Sequence, residues 1–370
     1  MRAPRSSFFP RRPRQRTAGS VVVLVLVTVL LAAFMLTKFV ERAGTELLAD
    51  ARSGDRLRLR REAYSSMEVT LAVLADVRAI DQALYSPAQG WDRPLEYAGY
   101  VPAGGLTVEV DFDDESGRIS LPRADAATLE GVFALTGVDR DLAERASDAL
   151  LLWMHPEYVP PTLDTDPGNY DQAALPHHAA GRPLRSLDEL ASIAVVRDIL
   201  FDDDGRPNER FRQFAGAVSL LSFSQMNLNS AGPEALAAVG LPAERIGAVQ
   251  DYRRAAAQGT DARPYLQSPA DATALLGATA PTQSFGTQVQ ALRVIVTVHD
   301  GANRYRLSVV IAPPNGATVP ARPAAAAPPA GQDATASQKA PVVLKKLDYP
   351  FKVLEVVEDM ELPDPASAHD

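Results

Sequence analysis

Aspartates 164, 166 and 171, with Asn169, stand in a Pro/Gly-rich stretch and offer the oxygen ligands that hard cations take. The denser run Asp202-Asp203-Asp204-Gly205 looks like a fragment of a calcium loop. It lacks the spacing and distal Glu of a complete EF-hand, so a solvated turn is the favoured reading. His177-His178 sits in a loop-like stretch without the spaced partners of a metal site, and the chain has five histidines in all. Ser222 and Ser224 have no His in a recognisable hydrolase motif, and neither G-x-S-x-G, H-E-x-x-H nor a phosphate-binding Gly loop is present. The absence of cysteine excludes disulfides, thiolate zinc sites and cysteine nucleophiles together. No catalytic constellation remains: the chain reads as a non-enzyme that requires no cofactor. Gly19-Ser20 is different in kind. It follows basic residues and precedes an apolar run, which is where a processing peptidase could cut.

That run, residues 17–37, is uncharged and long enough to cross a bilayer as one helix of about 20 residues. Ahead of it lie Arg2, Arg5, Arg11, Arg12, Arg14 and Arg16 with no acidic residue. Arginines stay cytoplasmic, so the bulk of the chain is expected across the membrane. Three readings compete. A cleaved secretory signal has a shorter apolar region and a small-residue site after it, whereas Lys38, Glu41 and Arg42 follow here. A plain signal anchor is the second reading, and a pilin-like leader cut after Gly19 is the third.

The 370 residues suffice for two domains, or for one with an insertion, and carry a net charge of −9. An acidic head argues against duplex DNA or anionic lipid as main partner. A long, mostly helical segment is expected over 20–86, with its transmembrane half at 20–37, ended by Pro87, Gly90 and Pro94. Alternation then predicts a first hairpin over 105–121 and a second over 285–312. Helical patterns between them predict one antiparallel sheet interrupted by an α-helical insertion over 122–284. The insertion holds an internal echo: Leu129 follows Leu121 at the same distance as Leu236 follows Leu228, and each precedes a Gly turn and a second helix. Residues 313–341 form a Pro/Ala-rich linker that cannot bury a core. The tail, 342–370, regains apolar pattern and reads as an extra strand, as a peptide docking on a partner's sheet edge, or as a frayed end.

Four stretches carry a family resemblance beyond the leader: Asp114-Glu115-Ser116-Gly117-Arg118-Ile119-Ser120-Leu121, Asp148-Ala149-Leu150-Leu151-Leu152-Trp153, residues 183–190, and Met226-Asn227-Leu228-Asn229-Ser230-Ala231. In order and spacing the chain resembles the protein K (GspK) minor pseudopilins of bacterial type II secretion systems, over roughly residues 14–313. Ser120 and Pro122 depart from that family's usual asparagines, Trp153-Met154-His155 stands where an acidic W-I-D is common, and the segment after Pro313 has no counterpart. The resemblance implies an α+β, pilin-like fold with a long N-terminal transmembrane helix packed on an antiparallel sheet and two helix-hairpin-helix-like units in the insertion. It implies an inner-membrane, single-pass protein with a cytoplasmic N-terminus and a periplasmic bulk, processed by prepilin peptidase between Gly19 and Ser20. Its implied partners are the I- and J-type minor pseudopilins and the major pseudopilin, with no nucleic acid, in a tip complex that starts the pseudopilus. Calcium at Asp164, Asp166 and Asp171 is a further implication. Pilin-like proteins usually keep a Glu five residues into the mature helix, where Leu24 stands here; a tip subunit has no neighbour above to satisfy, and an unpaired carboxylate in lipid is costly.

A rival resemblance runs from Asn227 to Arg254, towards the helix-hairpin-helix unit of competence-type DNA-binding proteins, whose Gly-x-Gly turn presents N–H groups to phosphate. Here the turn is Gly240-Leu241-Pro242, and proline removes one donor.

Overall fold

The computed structural model describes residues 18–161, 178–257, 264–277, 284–320 and 350–361. It divides into two units, Met1–Arg58 and Leu59–Asp370. Helix α1 (Ala18–Asp81) supplies the described part of the first and opens the second. The rest, in chain order, is α2 (Pro94–Tyr97), β1 (Thr107–Asp114), β2 (Ile119–Ser120), α3 (Ala126–Leu135), α4 (Arg140–Met154), α5 (Ala194–Leu200) and α6 (Glu209–Ala217). There follow β3 (Val218–Ser219), β4 (Met226–Asn227), α7 (Pro233–Ala238), α8 (Ala243–Ala257), α9 (Pro269–Leu276), β5 (Phe285–Gly286), β6 (Leu292–Asp300), β7 (Asn303–Ala312) and β8 (Lys352–Glu361).

The fold is α+β. One antiparallel sheet has the order β1-β6-β7-β8. Strand alternation sends Val294, Val296, Val298, Tyr305 and Leu307 to one face. There they pack with Leu59, Ala63, Met67, Val73 and Leu74 of α1, whose spacing follows the helical period. Helix α1 stops at Asp81, short of the expected 86, because Gln82 takes a left-handed backbone (φ 64°). The chain beyond is then drawn into the same core through Leu84 and Trp91, and Val289 N–H donates to Leu84 O at 2.7 Å.

The hairpin expected over 105–121 does not form. The Asp114 side chain accepts Ser116 N–H and bends the chain into a 3-10 turn, Glu115–Gly117. Residues beyond the turn leave the sheet: β2 pairs in parallel with β3, and the partner of β1 is β6 instead. The second hairpin forms as β6 and β7, closed at Asp300–Asn303. The first eight residues of the expected linker also belong to the packed head: Thr318 bridges Ser222, and Ala317 is buried. Part of the tail is a fourth strand, β8, of the chain's own sheet. Residues 321–349 and 362–370 lie outside the described residues.

The insertion bears out the echo in the sequence. One unit runs from β2 through α3 and α4 to β3, the other from β4 through α7 and α8 to β5, and in each the first and last strands pair in parallel. Asp125 and Asp139 cap α3 and α4 by accepting Thr128 and Leu142 N–H, as short polar residues at helix starts do. Leu129, Phe133, Leu150, Leu236 and Phe285 share one core with Trp153.

Candidate functional site: an apolar stem and a polar seam

Within the first unit, Val21–Leu47 spans 27 residues with a mean hydropathy of 2.6, and none of its most apolar stretch is buried. It is the single helix among the described residues long and apolar enough to cross a membrane, or to serve as a signal sequence. Residues 21–37 hold no charge, and at 1.5 Å per residue they cover about 26 Å. Their two hydroxyls are closed on the helix backbone, Thr28 to Val25 O at 2.8 Å and Thr37 to Ala33 O at 3.0 Å. Nothing polar in that stretch is left to solvate in lipid. Charges begin at Lys38, paired with Glu41 at 2.7 Å, and Arg42, paired with Glu46 at 2.9 Å. Leu24 is exposed with its neighbours. Gly19 and Ser20 fall in the first turn of α1.

In the second unit, two of the stretches that carry the resemblance meet. Asp114 is half-buried where β1 gives way to the turn. One carboxylate oxygen accepts Ser116 N–H at 2.9 Å and Ser116 Oγ–H at 2.5 Å. The other accepts Asn227 Nδ2 at 2.7 Å and Ser230 Oγ–H at 2.5 Å. Burial pushes the Asp114 carboxyl above the ordinary carboxylate value, against the downward pull of those donors. Gly117 makes the approach possible, because a Cβ there would sit 2.7 Å from Ser230 Oγ. Asn227 spends its other N–H on Tyr85 O and its carbonyl on Asn229 N–H, at 3.1 Å each. Asn229 does the same toward the far strand, giving to Leu266 O and Thr287 O and accepting Leu266 N–H. An amide serves at both positions because each donates twice and accepts once.

Beside this, buried Glu115 pairs with Arg118 at 3.0 Å and Arg293 at 2.8 Å. The two guanidinium groups hold its carboxyl below the usual range despite burial. Arg293 also reaches Glu355 of β8 at 3.0 Å. The sequence marked Asp114, Asn227 and Ser230 as motif letters without a role. The Asp-x-Ser turn signal after an alternating strand was the one local hint that the chain turns away there.

The predicted ligands Asp164, Asp166 and Asp171, and His177, lie outside the described residues. Among the described residues no group of three or more His, Cys, Asp or Glu could hold a metal ion. Asp202–Gly205 is a tight exposed turn, in which Asp202 Oδ1 accepts Arg206 N–H at 2.7 Å. Ser224 Oγ meets Gln290 rather than a histidine.

The hairpin of the rival resemblance is turned inward. Gly240 N–H donates to Ala237 O at 2.9 Å and Leu241 N–H to Leu236 O at 3.1 Å, and Pro242 has none to give. In the earlier helical pair of the insertion, Gly137 N–H is likewise spent on Ala134 O at 3.0 Å. Arg253 is half-buried and donates to Leu228 O and to Ala231 O. Its burial draws the guanidinium down to about 10. Arg254 pairs with Asp251 at 2.8 Å.

No family model matches the chain, and no curated protein matches it. Among solved structures it is similar to a chain of the GspK-GspI-GspJ complex from the type 2 secretion system of enterotoxigenic Escherichia coli. That likeness has a TM-score of 0.49 at 13% identity, over 72% of this chain and 97% of that one.

Proposed function

We propose that this chain is a minor pseudopilin of a type II secretion system, of the protein K kind. It anchors in the inner membrane through residues 21–37 with its N-terminus cytoplasmic, and works at the tip of the periplasmic pseudopilus with I- and J-type minor pseudopilins. Its work is mechanical: it supplies a stem and a head for assembly and performs no catalysis. Prepilin peptidase cuts between Gly19 and Ser20, and calcium, if bound, is taken by Asp164, Asp166 and Asp171.

The observation that carries this reading is the meeting of Asp114 with Asn227 and Ser230. Two of the sequence stretches on which the resemblance rests form one hydrogen-bonded joint, so their residue types answer to a shared structural need rather than to chance. The exposed, uncharged half of α1 supports the membrane assignment. Inward-turned hairpin amides and the carbonyl-bound guanidinium of Arg253 speak for packing, rather than phosphate binding, as the task of the helix-hairpin-helix units. N-terminal sequencing of the membrane-extracted protein tests the proposal. A start at Ser20 is expected; an intact Met1 would make it a plain anchored protein, and cleavage beyond Lys38 a secreted one.

A further inference from the structure

Strand β8 is joined to the sheet differently from its neighbours. Its backbone pairs with β7 alone, and a bulge interrupts the ladder at Val310/Ile311. Val353, Val356 and Val357 remain 54%, 49% and 45% exposed, whereas Ile311 and Val309 of β7, paired with the first two, are buried, and Ser308 opposite Val357 is half-buried. Little apolar surface therefore holds the strand. What holds it is a short set of specific ties, most of them to α1. Near its start, Phe351 is buried and lies under the Arg78 guanidinium at 6.0 Å, while Arg78 Nη1 donates to Pro350 O at 3.1 Å. Towards its end, Glu358 accepts from Arg60 at 2.8 Å and from Tyr64 Oη at 2.5 Å. At 1.5 Å per residue, Arg60 and Arg78 stand about 27 Å apart on the helix. Seven residues of extended chain, from Phe351 to Glu358, cover about 23 Å, so the two ties are matched to the length of one strand.

We infer that the edge of β7 and the flanking face of α1 form a strand-acceptor site for an extended segment bearing an aromatic residue and, seven positions later, a carboxylate, and that residues 350–361 of this chain are its resident, separable ligand. Main-chain pairing to β7 supplies general affinity, and the Arg78 and Arg60–Tyr64 ties supply selectivity, the division of labour of strand-addition sites. The site is complete on the head side: the side chains that read the aromatic residue and the Glu358 carboxylate belong to α1, Arg293 of β6 meets Glu355 between them, and the ladder that receives the strand belongs to β7. The inference stands apart from the secretion assignment and needs only the contacts of the second unit.

The test uses the full chain, purified in detergent, with a specific protease site placed within 321–349 and cut after folding. A labelled synthetic peptide of residues 350–361 is then offered to the nicked protein. Exchange of the resident strand for the peptide is expected, with affinity about threefold or more weaker for the E358Q peptide, which loses the charge that the solvent-screened Arg60 and Tyr64 ties read. The F351A peptide should weaken in the same way, and a scrambled peptide should not bind. A nicked head that unfolds, or one that keeps its resident strand against excess peptide until global unfolding, would show that β8 is an integral strand and overturn the inference. Equal binding of the E358Q, F351A and parent peptides would overturn the recognition rule. Circular dichroism of the nicked protein separates loss of folding from loss of exchange.

Discussion

Asn227 donates to the half-buried carboxylate of Asp114 at 2.7 Å, across 113 positions of sequence, and so ties the end of the first sheet strand to the start of the second helical unit. Asn227 is buried, Asp114 is half-buried, and both are otherwise fully engaged. Truncating Asn227 to Ala strips a donor from that acid and leaves Tyr85 O unmet, at an expected cost of about 1–3 kcal/mol. The two tryptophans report this from opposite sides, Trp91 from the sheet core and Trp153 from the insertion core. Urea unfolding of N227A, followed in W91F and W153F backgrounds, should shift both transitions to lower denaturant. A shift confined to the insertion signal would mean that the joint does not couple the two.

Gly131 of α3 faces the end of α7 so closely that a Cβ would lie 2.2 Å from Ala238 O. The obstacle is backbone, which cannot step aside as a side chain can. G131A should therefore force the paired units apart and lose about 1–3 kcal/mol, although alanine is the better helix former by up to about 1 kcal/mol. A control exists in Gly216 of α6, with open space around its missing Cβ. G216A should be neutral or stabilising in the same thermal melt; matching losses at both positions would remove close packing as the cause.

Much of this architecture was legible from pattern. The apolar run, the β6–β7 hairpin and the interruption of the sheet by helices all follow from local period, and local period is what a single sequence records. The first hairpin failed because residues 118–121 look like a returning strand, yet their partner, Val218–Ser219, stands about a hundred positions away. Pairing of that kind is decided by tertiary packing. Strand β8 stayed ambiguous for the same reason: its valines fit an inner strand, an edge or a partner's edge equally, and long-range ties such as Arg60–Glu358, Arg293–Glu355 and Arg78–Pro350 select one. Within the seam, the Asn-x-Asn spacing was visible, but the acid that it serves was not.

Acid should loosen β8 before the rest of the sheet. Hydrogen bonds from Arg60 and Tyr64 hold the Glu358 carboxyl down at about 2, below its ordinary 4.5. A depressed carboxylate value means that the folded state binds the proton more weakly than the unfolded state. Its contribution is thus fully present above about 4.5 and is lost as pH falls towards 2. Amide-exchange protection across the β7–β8 ladder is expected to fall from pH 6 to pH 3 ahead of protection across β6–β7. In E358Q the β7–β8 protection should be lower at pH 6 and nearly flat. Parallel decline of both ladders, unchanged by E358Q, would assign the loss to another group.

Duplex DNA should not bind in the salt-sensitive manner of a phosphate-reading module. Gly240 and Leu241 N–H are consumed inside the hairpin, and Arg253 holds two backbone carbonyls. A protein contacting several phosphates loses affinity by orders of magnitude between about 50 and 200 mM salt. A retardation assay across that range should give no such slope with the full chain, and R254A should change nothing. Steep salt dependence, abolished by R254A, would restore the rival assignment.

Insertion of residues 21–37 can be challenged at its centre, where Leu30 is 70% exposed in the helix. Arginine near the middle of a membrane span costs about 2.5–3.5 kcal/mol on insertion scales, and leucine gains about half a kcal/mol. L30R should therefore move a substantial fraction of the protein into the alkaline-carbonate-soluble pool, while L47R, beyond the first charged residues, should not. Leu24 adds a finer comparison. A glutamate there is a cost in lipid unless a neighbouring subunit supplies a positive group. If the chain sits at the end of a fibre with no neighbour above it, L24E should weaken membrane retention. If a subunit packs above it, the partner amine offsets the cost, and L24E should be retained as well as the parent. Carbonate extraction from cells making the other fibre subunits therefore discriminates between an end position and an internal one.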